Sequence, residues 1–154
     1  MAIKKPLVIT AGQVERLQPG DKLDLADTVT KQNNTGNTLI VLTPVYVTGN
    51  NAVSAQADAQ PTTRVAGFVA EESLDSTPVE IQISGLLTAI TATWDLVTDE
   101  TGGLTAGAQY YLSADNLGEI TANAPTVFGD FVAPVGFALS ETEFEIGIGA
   151  PIKL

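Results

Sequence analysis

The heptad VAGFVAE, Val65 to Glu71, returns as PVGFALS, Pro134 to Ser140. It does not return alone. Tyr46-Val47-Thr48 aligns with Tyr111-Leu112-Ser113, and turn residues follow in both places, Gly49-Asn50-Asn51 and Ala114-Asp115-Asn116. Val53 then matches Ile120, and Glu80-Ile81-Gln82-Ile83 matches Glu145-Ile146-Gly147-Ile148. The length differences fall between the matched blocks, where loops absorb them. Each copy, residues 44–83 and 109–148, reads as four short strands, too few to cover their own apolar face. Two copies facing each other are therefore expected to close one small barrel with pseudo-twofold symmetry. Gly67 and Gly136 fall mid-strand, where glycine weakens pairing, so each is read as a bend or bulge that lets the strand turn a corner. The Phe that follows each glycine is expected to be buried in both copies.

The rest of the chain is read around this repeat. Leu7–Thr10 and Val14–Leu17 have strand character, Gln18-Pro19-Gly20-Asp21 is a turn, and Leu23 and Leu25 alternate with Asp24 as in a half-buried strand. Thr28–Thr38, polar and Asn-rich, reads as a loop or linker. The spacing of Trp94 and Val97 predicts a short helix over Thr91–Asp99, capped by Thr91 or Thr93, with the single Trp as a core plug. The expectation is an all-β protein: a small β-barrel built from two pseudo-symmetric repeats, with an N-terminal extended arm and at most one short helix. Residues 1–37 form the arm and linker, and residues 38–154 the body.

Charge divides the chain at the same place. Residues 1–36 carry five of the seven basic residues against four acids, whereas residues 37–154 carry only Arg64 and Lys153 against fourteen acids. An acidic body repels nucleic acid, whose binding requires Lys and Arg to neutralise phosphates. No apolar run reaches the length of a membrane helix. The N-terminus lacks the apolar stretch of a signal peptide, so synthesis in the cytoplasm is expected.

The absence of Cys and His removes thiolate and imidazole chemistry, and with it the commonest nucleophile–base pairs and transition-metal ligands. Gly147-Ile148-Gly149 fits no dinucleotide or phosphate loop. The alternate acids of Ser140–Glu145 read as the solvated face of an edge strand. A calcium site is the competing reading, without the spacing of an EF-hand loop. Glu71-Glu72 and Asp99-Glu100 are paired acids of a kind any acidic protein offers. Asn33-Asn34-Thr35 matches a glycosylation sequon. No catalytic residue, cofactor or metal is assigned.

Three blocks occur together: KKPLVITAGQVERLQPGDKLDL at the start, RVAGFVAEE before a Trp-containing segment, and GGLTAGAQYYLS, LGEITANAP and PVGFALSETEFEIGI at the close. Together they resemble structural proteins of tailed-bacteriophage virions, with the body most similar to the β-barrel of capsid decoration, or cement, proteins. The resemblance implies a non-enzymatic protein on the capsid exterior that binds the major capsid protein and neighbouring copies of itself as a trimer. It would stabilise the shell without touching nucleic acid or membrane. A tail or tail-fibre component that contacts a receptor or another tail protein is the alternative. The arm is the expected partner-binding element: Lys4, Lys5 and Arg16 suit an acidic surface, and Leu7-Val8-Ile9 suits addition of a strand to a partner's sheet.

Overall fold

The computed structural model describes residues 27–154 and, before them, the strands β1 (Leu7–Thr10) and β2 (Gln13–Arg16). These two pair antiparallel, Leu7 opposite Arg16 and Ile9 opposite Val14. The half-buried strand expected at Leu23–Leu25 lies outside the described residues.

β3 (Thr28–Asn33), β4 (Pro44–Thr48), β5 (Asn51–Ser54), β6 (Gly67–Val69) and β7 (Thr77–Gln82) form a closed barrel in the circular order β3-β5-β4-β6-β7. Residues 28–33 are therefore not linker. They pair with β7 along their whole length, from Thr28 opposite Gln82 to Asn33 opposite Thr77. At its far end β3 bridges β5 in parallel, Gln32 opposite Asn51, and this bridge shuts the barrel. The polar composition that suggested a loop belongs to a strand whose first three residues face solvent.

A second unit follows. β8 (Leu86–Thr88) leads through helix α1 (Thr91–Trp94) to β9 (Gln109–Leu112), β10 (Ile120–Thr121), β12 (Pro134–Ala138) and β13 (Glu143–Ile146). These strands form an open sheet in the order β10-β9-β12-β13-β8. β11 (Phe131–Val132) pairs separately with β14 (Ile152–Lys153). The helix is one turn long, is preceded by Ile90 and has no side-chain cap, so neither Thr91 nor Thr93 serves as its N-cap.

The two units share one pairing pattern. Val45 pairs with Gly67 as Tyr110 pairs with Gly136. Phe68 pairs with Gln82 as Phe137 with Glu145, and Val69 with Ile81 as Ala138 with Phe144. Tyr46 pairs with Val53 as Tyr111 with Thr121. Even the first strands correspond, for Val29 pairs with Ile81 as Leu87 pairs with Phe144. The all-β class, the barrel and the single short helix thus stand, and so does the repeat. Closure is the difference: the barrel is completed by β3 and not by the second copy. The repeated unit has five strands, and its first strand supplies the missing edge.

The barrel interior is narrow and filled by small side chains, Val45, Ala52, Val69, Val79 and Ile81, with Leu39 at one end. A larger cluster fills the second unit and the seam between units, built on Trp94, Tyr110, Phe144, Leu112 and Ile120 with Phe68 reaching in from the barrel's outer face. The Phe144 ring is central. It meets Phe68 edge-on at 5.6 Å, Trp94 tilted at 5.6 Å and Tyr110 edge-on at 5.9 Å, all favourable aromatic geometries. Trp94 is a core plug, and its Nε1 donates to the Thr142 carbonyl at 3.2 Å. Backbone hydrogen bonds stitch the seam, Ala57 N to Ser113 O at 2.8 Å and Gly118 N to Ala55 O at 2.8 Å among them.

Candidate interaction surface

A surface for binding must be sought in what the core leaves out. The two repeat phenylalanines separate here. Both project from the outer face of their unit, because the neighbours Val69 and Ala138 point inward. Phe68 is fully buried because the second unit covers it, whereas Phe137 is 42% exposed. Expecting both to be buried was therefore wrong for Phe137, since only one of the two units has another packed on that face.

Around Phe137 the ladder places Gln109 on one side, Glu145 on the other, and Leu86 beyond Glu145. Directly opposed residues in an antiparallel sheet share a face, so these four form one outward row. Leu86 is 44% exposed, and Leu139, just past the end of β12, is 52% exposed. The row is apolar with a carboxylate in its middle, and Glu143 flanks it on the same strand. β13 lies between β12 and β8, so Ser140–Glu145 is not an edge strand. Its acids line an open sheet face instead.

A second exposed apolar group stands at the loop before β11. Phe128 is 92% exposed, beside exposed Val127. The loop is tied to the C-terminus by Gly129 N donating to Leu154 O and Leu154 N donating to Asp130 O.

The polar clefts are occupied by their own hydrogen bonds. An open cleft of about 250 Å³ is lined by Asp99, Ser113, Asp115, Asn116 and Thr121. In it Thr121 Oγ1 donates to Asp99 Oδ2 at 3.0 Å, and Asn116 N donates to Ser113 Oγ at 3.0 Å. Beside it, burial first and the nearby Asp99 charge hold the Glu119 carboxyl above the usual range, against an opposing hydrogen bond from Asn116. Glu100, of the paired acids, accepts from Tyr110 Oη, while Thr105 N donates to the same phenol oxygen at 2.8 Å. Burial, and then the bond to Glu100, push the Tyr110 phenol up to about 12. This network ties the 99–105 loop to β9. Asp95 closes the same loop by accepting from Gly102 N at 3.1 Å and Gly103 N at 2.7 Å. Glu71 and Glu72 line a shallow recess with Glu80 on the barrel. Among the described residues no group of three or more His, Cys, Asp or Glu side chains is placed to hold a metal ion. No described helix is long and apolar enough to cross a membrane.

Asn33, the sequon residue, is fully buried. Its Nδ2 donates to Asn37 O at 2.9 Å and Ser73 O at 2.8 Å, and its Oδ1 accepts from Thr35 Oγ1 at 2.7 Å. It is a structural pin at the end of β3, which an Asn-rich stretch conceals among its neighbours. Gly67 and Gly136 also resolve. At each, an added Cβ would press on the carbonyl of the neighbouring strand, Gln82 O or Glu145 O, and on the side chain of Ile81 or Phe144. The register shifts between Pro134 and Gly136, so the second copy carries the expected bulge. Close approach of a strand, and not of a ligand, is what requires the glycine.

Of the partner-binding residues expected from the sequence, Lys4 and Lys5 lie outside the described residues. Leu7, Val8, Ile9 and Arg16 fall on the β1–β2 ladder. The Phe137 row carried no sequence signal as a surface, because apolar residues in strands read as core.

No protein-family model matches this chain, and no curated protein matches it.

Proposed function

We propose that this chain is a structural protein of a tailed-phage virion that binds the outer surface of the capsid and stabilises the shell. The observation that carries the reading is the exposure of large apolar side chains at two places, the Phe137 row and the Phe128 loop. A small β-body with two exposed apolar anchors is suited to standing between neighbours in an assembly. The resemblance of its sequence blocks to cement proteins gives the assembly a candidate identity. The chain would meet the major capsid protein and further copies of itself, as a trimer. A protein that binds only the assembled shell stabilises it by mass action.

In this reading residues 1–26, with Lys4, Lys5, Arg16 and Lys22, approach acidic surface that the body repels. The test is co-sedimentation of the full chain with expanded capsids, followed by heating of the decorated particles. Saturable binding and a higher temperature of DNA release are expected. Phe128→Asp is expected to weaken binding by about tenfold, as loss of an aromatic anchor implies. No binding to shells, with recovery of the protein at low copy number in purified tails, would place it in the tail instead.

A further inference from the structure

The tandem units show what this fold does with its outer row. In the first unit the row is Pro44, Phe68, Gln82 and Thr28; in the second it is Gln109, Phe137, Glu145 and Leu86. The middle of the first row is covered by the unit that follows it in the chain, with Phe68 against Phe144 and Gln82 Nε2 donating to Ser84 O and Leu86 O at 3.0 and 3.2 Å, while Thr28 at its end is exposed. Residues 147–154 run to β14 and its pairing with β11, and the second row stays open, with Phe137 42% and Leu86 44% exposed.

We infer that the β1–β2 ladder of the same chain covers the Phe137 row. Three observations select this occupant. The first is where the segment begins. Asp27, the residue that leads into β3, stands beside the start of β8: Ser84 Oγ donates to Asp27 Oδ2 at 3.1 Å, and Ile83 N donates to Asp27 O at 2.9 Å. Leu86, at one end of the row, is two residues from Ser84. Phe137 is two strand spacings further, about 10 Å. Residues 17–26 span up to about 33 Å when extended, so the ladder reaches the row with length to spare.

The second observation is pattern. The ladder is written with the apolar residues Leu7, Val8, Ile9 and Val14 and with Arg16 opposite Leu7. The row carries Phe137, Leu86 and Leu139 around Glu145. The third is charge. Residues 1–26 hold four basic residues against three acids, while residues 27–154 hold three against fifteen. The segment is the part of the chain that an acidic sheet face attracts. A shell that recruits the ladder would have to displace it from this row, so this inference concerns the free protein and stands apart from the functional reading.

The chain has no Cys, which permits a clean cross-linking test on the full-length protein without capsids. Thr10→Cys is combined with Thr88→Cys, which lies on the row's face of β8 and leaves Phe137 and Leu86 intact. The control combines Thr10→Cys with Asn50→Cys, at the far end of the barrel. A short bismaleimide should link the first pair within one chain, at monomer mass, and the control about tenfold less, the ratio that a docked anchor worth one decade of affinity gives. Adding Phe137→Glu to the first pair should bring its yield down to the control's, while Trp94 fluorescence reports an unchanged body. Equal yields for the two pairs, or insensitivity to Phe137→Glu, would overturn the inference. A product found only at dimer mass would overturn it as well, by making a second copy the occupant.

Discussion

The two units are built on one pairing pattern and solve one problem differently. In the first, β3 pairs with β7 along its whole length and near its end also bridges β5, and the sheet shuts on itself. In the second, the equivalent strand β8 is three residues long and leaves for the α1 turn. The chain comes back to β10 only as a single parallel bridge, Thr98 opposite Ile120. Core composition follows from this. At paired positions the closed unit has Val45, Ala52 and Ile81 where the open one has Tyr110, Ile120 and Phe144. A closed five-stranded interior has room only for small side chains. An open sheet must be filled by larger ones and lidded from outside, here by Trp94 and by Phe68 of the other unit. Closure at one strand end therefore decides both the size of the core residues and which outer face is left over.

The largest test of this comparison is Phe68→Ala against Phe137→Ala. Phe68 is wedged between units against Phe144, so its loss should cost about 3–5 kcal/mol, as for buried aromatic truncations. Phe137 is half open, and its truncation should cost about 1 kcal/mol, from the area it does bury. Urea unfolding of the two variants measures the difference. Equal losses would mean that the two units experience the same environment at this position, and the asymmetry of cover would fall.

Much of this was readable in the chain. The heptad and the Tyr-centred block align β6 with β12 and β4 with β9 as the hydrogen bonds do. The last block did not align correctly. Glu80-Ile81-Gln82-Ile83 looks like Glu145-Ile146-Gly147-Ile148, but the pairing equates Ile81 with Phe144 and Gln82 with Glu145. A slip of two residues keeps every side chain on its face, so alternation cannot detect it. Val53 was matched to Ile120, whereas the pairing matches Ala52; a small residue inside a narrow barrel hid the inward position. The kinship of β3 and β8 is too short to read from sequence: Thr28-Val29-Thr30 and Leu86-Leu87-Thr88 share only Thr30 with Thr88 and an apolar residue before each. As for the candidate surface, Phe137 exposure depends on which unit packs on which, a tertiary fact that no strand pattern encodes.

The next test is Gly67→Ala and Gly136→Ala, made separately. In both units a Cβ would drive against a carbonyl of the adjoining strand. Overpacking of this kind costs about 1–3 kcal/mol. Gly136 also has φ of +152°, in a region L side chains rarely adopt, so it should cost the more of the two. Thermal melts of the pair check the order. A neutral effect at either position would show that the strand can move away, and that the shared glycine is not a shared constraint.

The smallest effect expected at neutral pH comes from Tyr110→Phe, and it probes the one inward position where the open unit carries a polar group in place of Val45. Removing the hydroxyl leaves the Thr105 N–H and the Glu100 carboxylate without their partner, at about 1 kcal/mol. Alkaline titration sharpens the point. Burial first, then the bond to Glu100, raise the phenol from 10.0 to about 12 in the folded protein. The unfolded chain therefore releases this proton first. The phenol's contribution is fully present below pH 10 and is lost as pH rises through 12, with a size on the order of 2 kcal/mol. Denaturant midpoints of the parent should fall across that window more steeply than those of Tyr110→Phe, which has no phenol to ionise. Parallel curves would mean that Tyr110 reaches water as freely as a surface tyrosine. In that case the 99–105 loop would not seal the open unit, and the contrast with the closed barrel would rest on Trp94 and Phe68 alone.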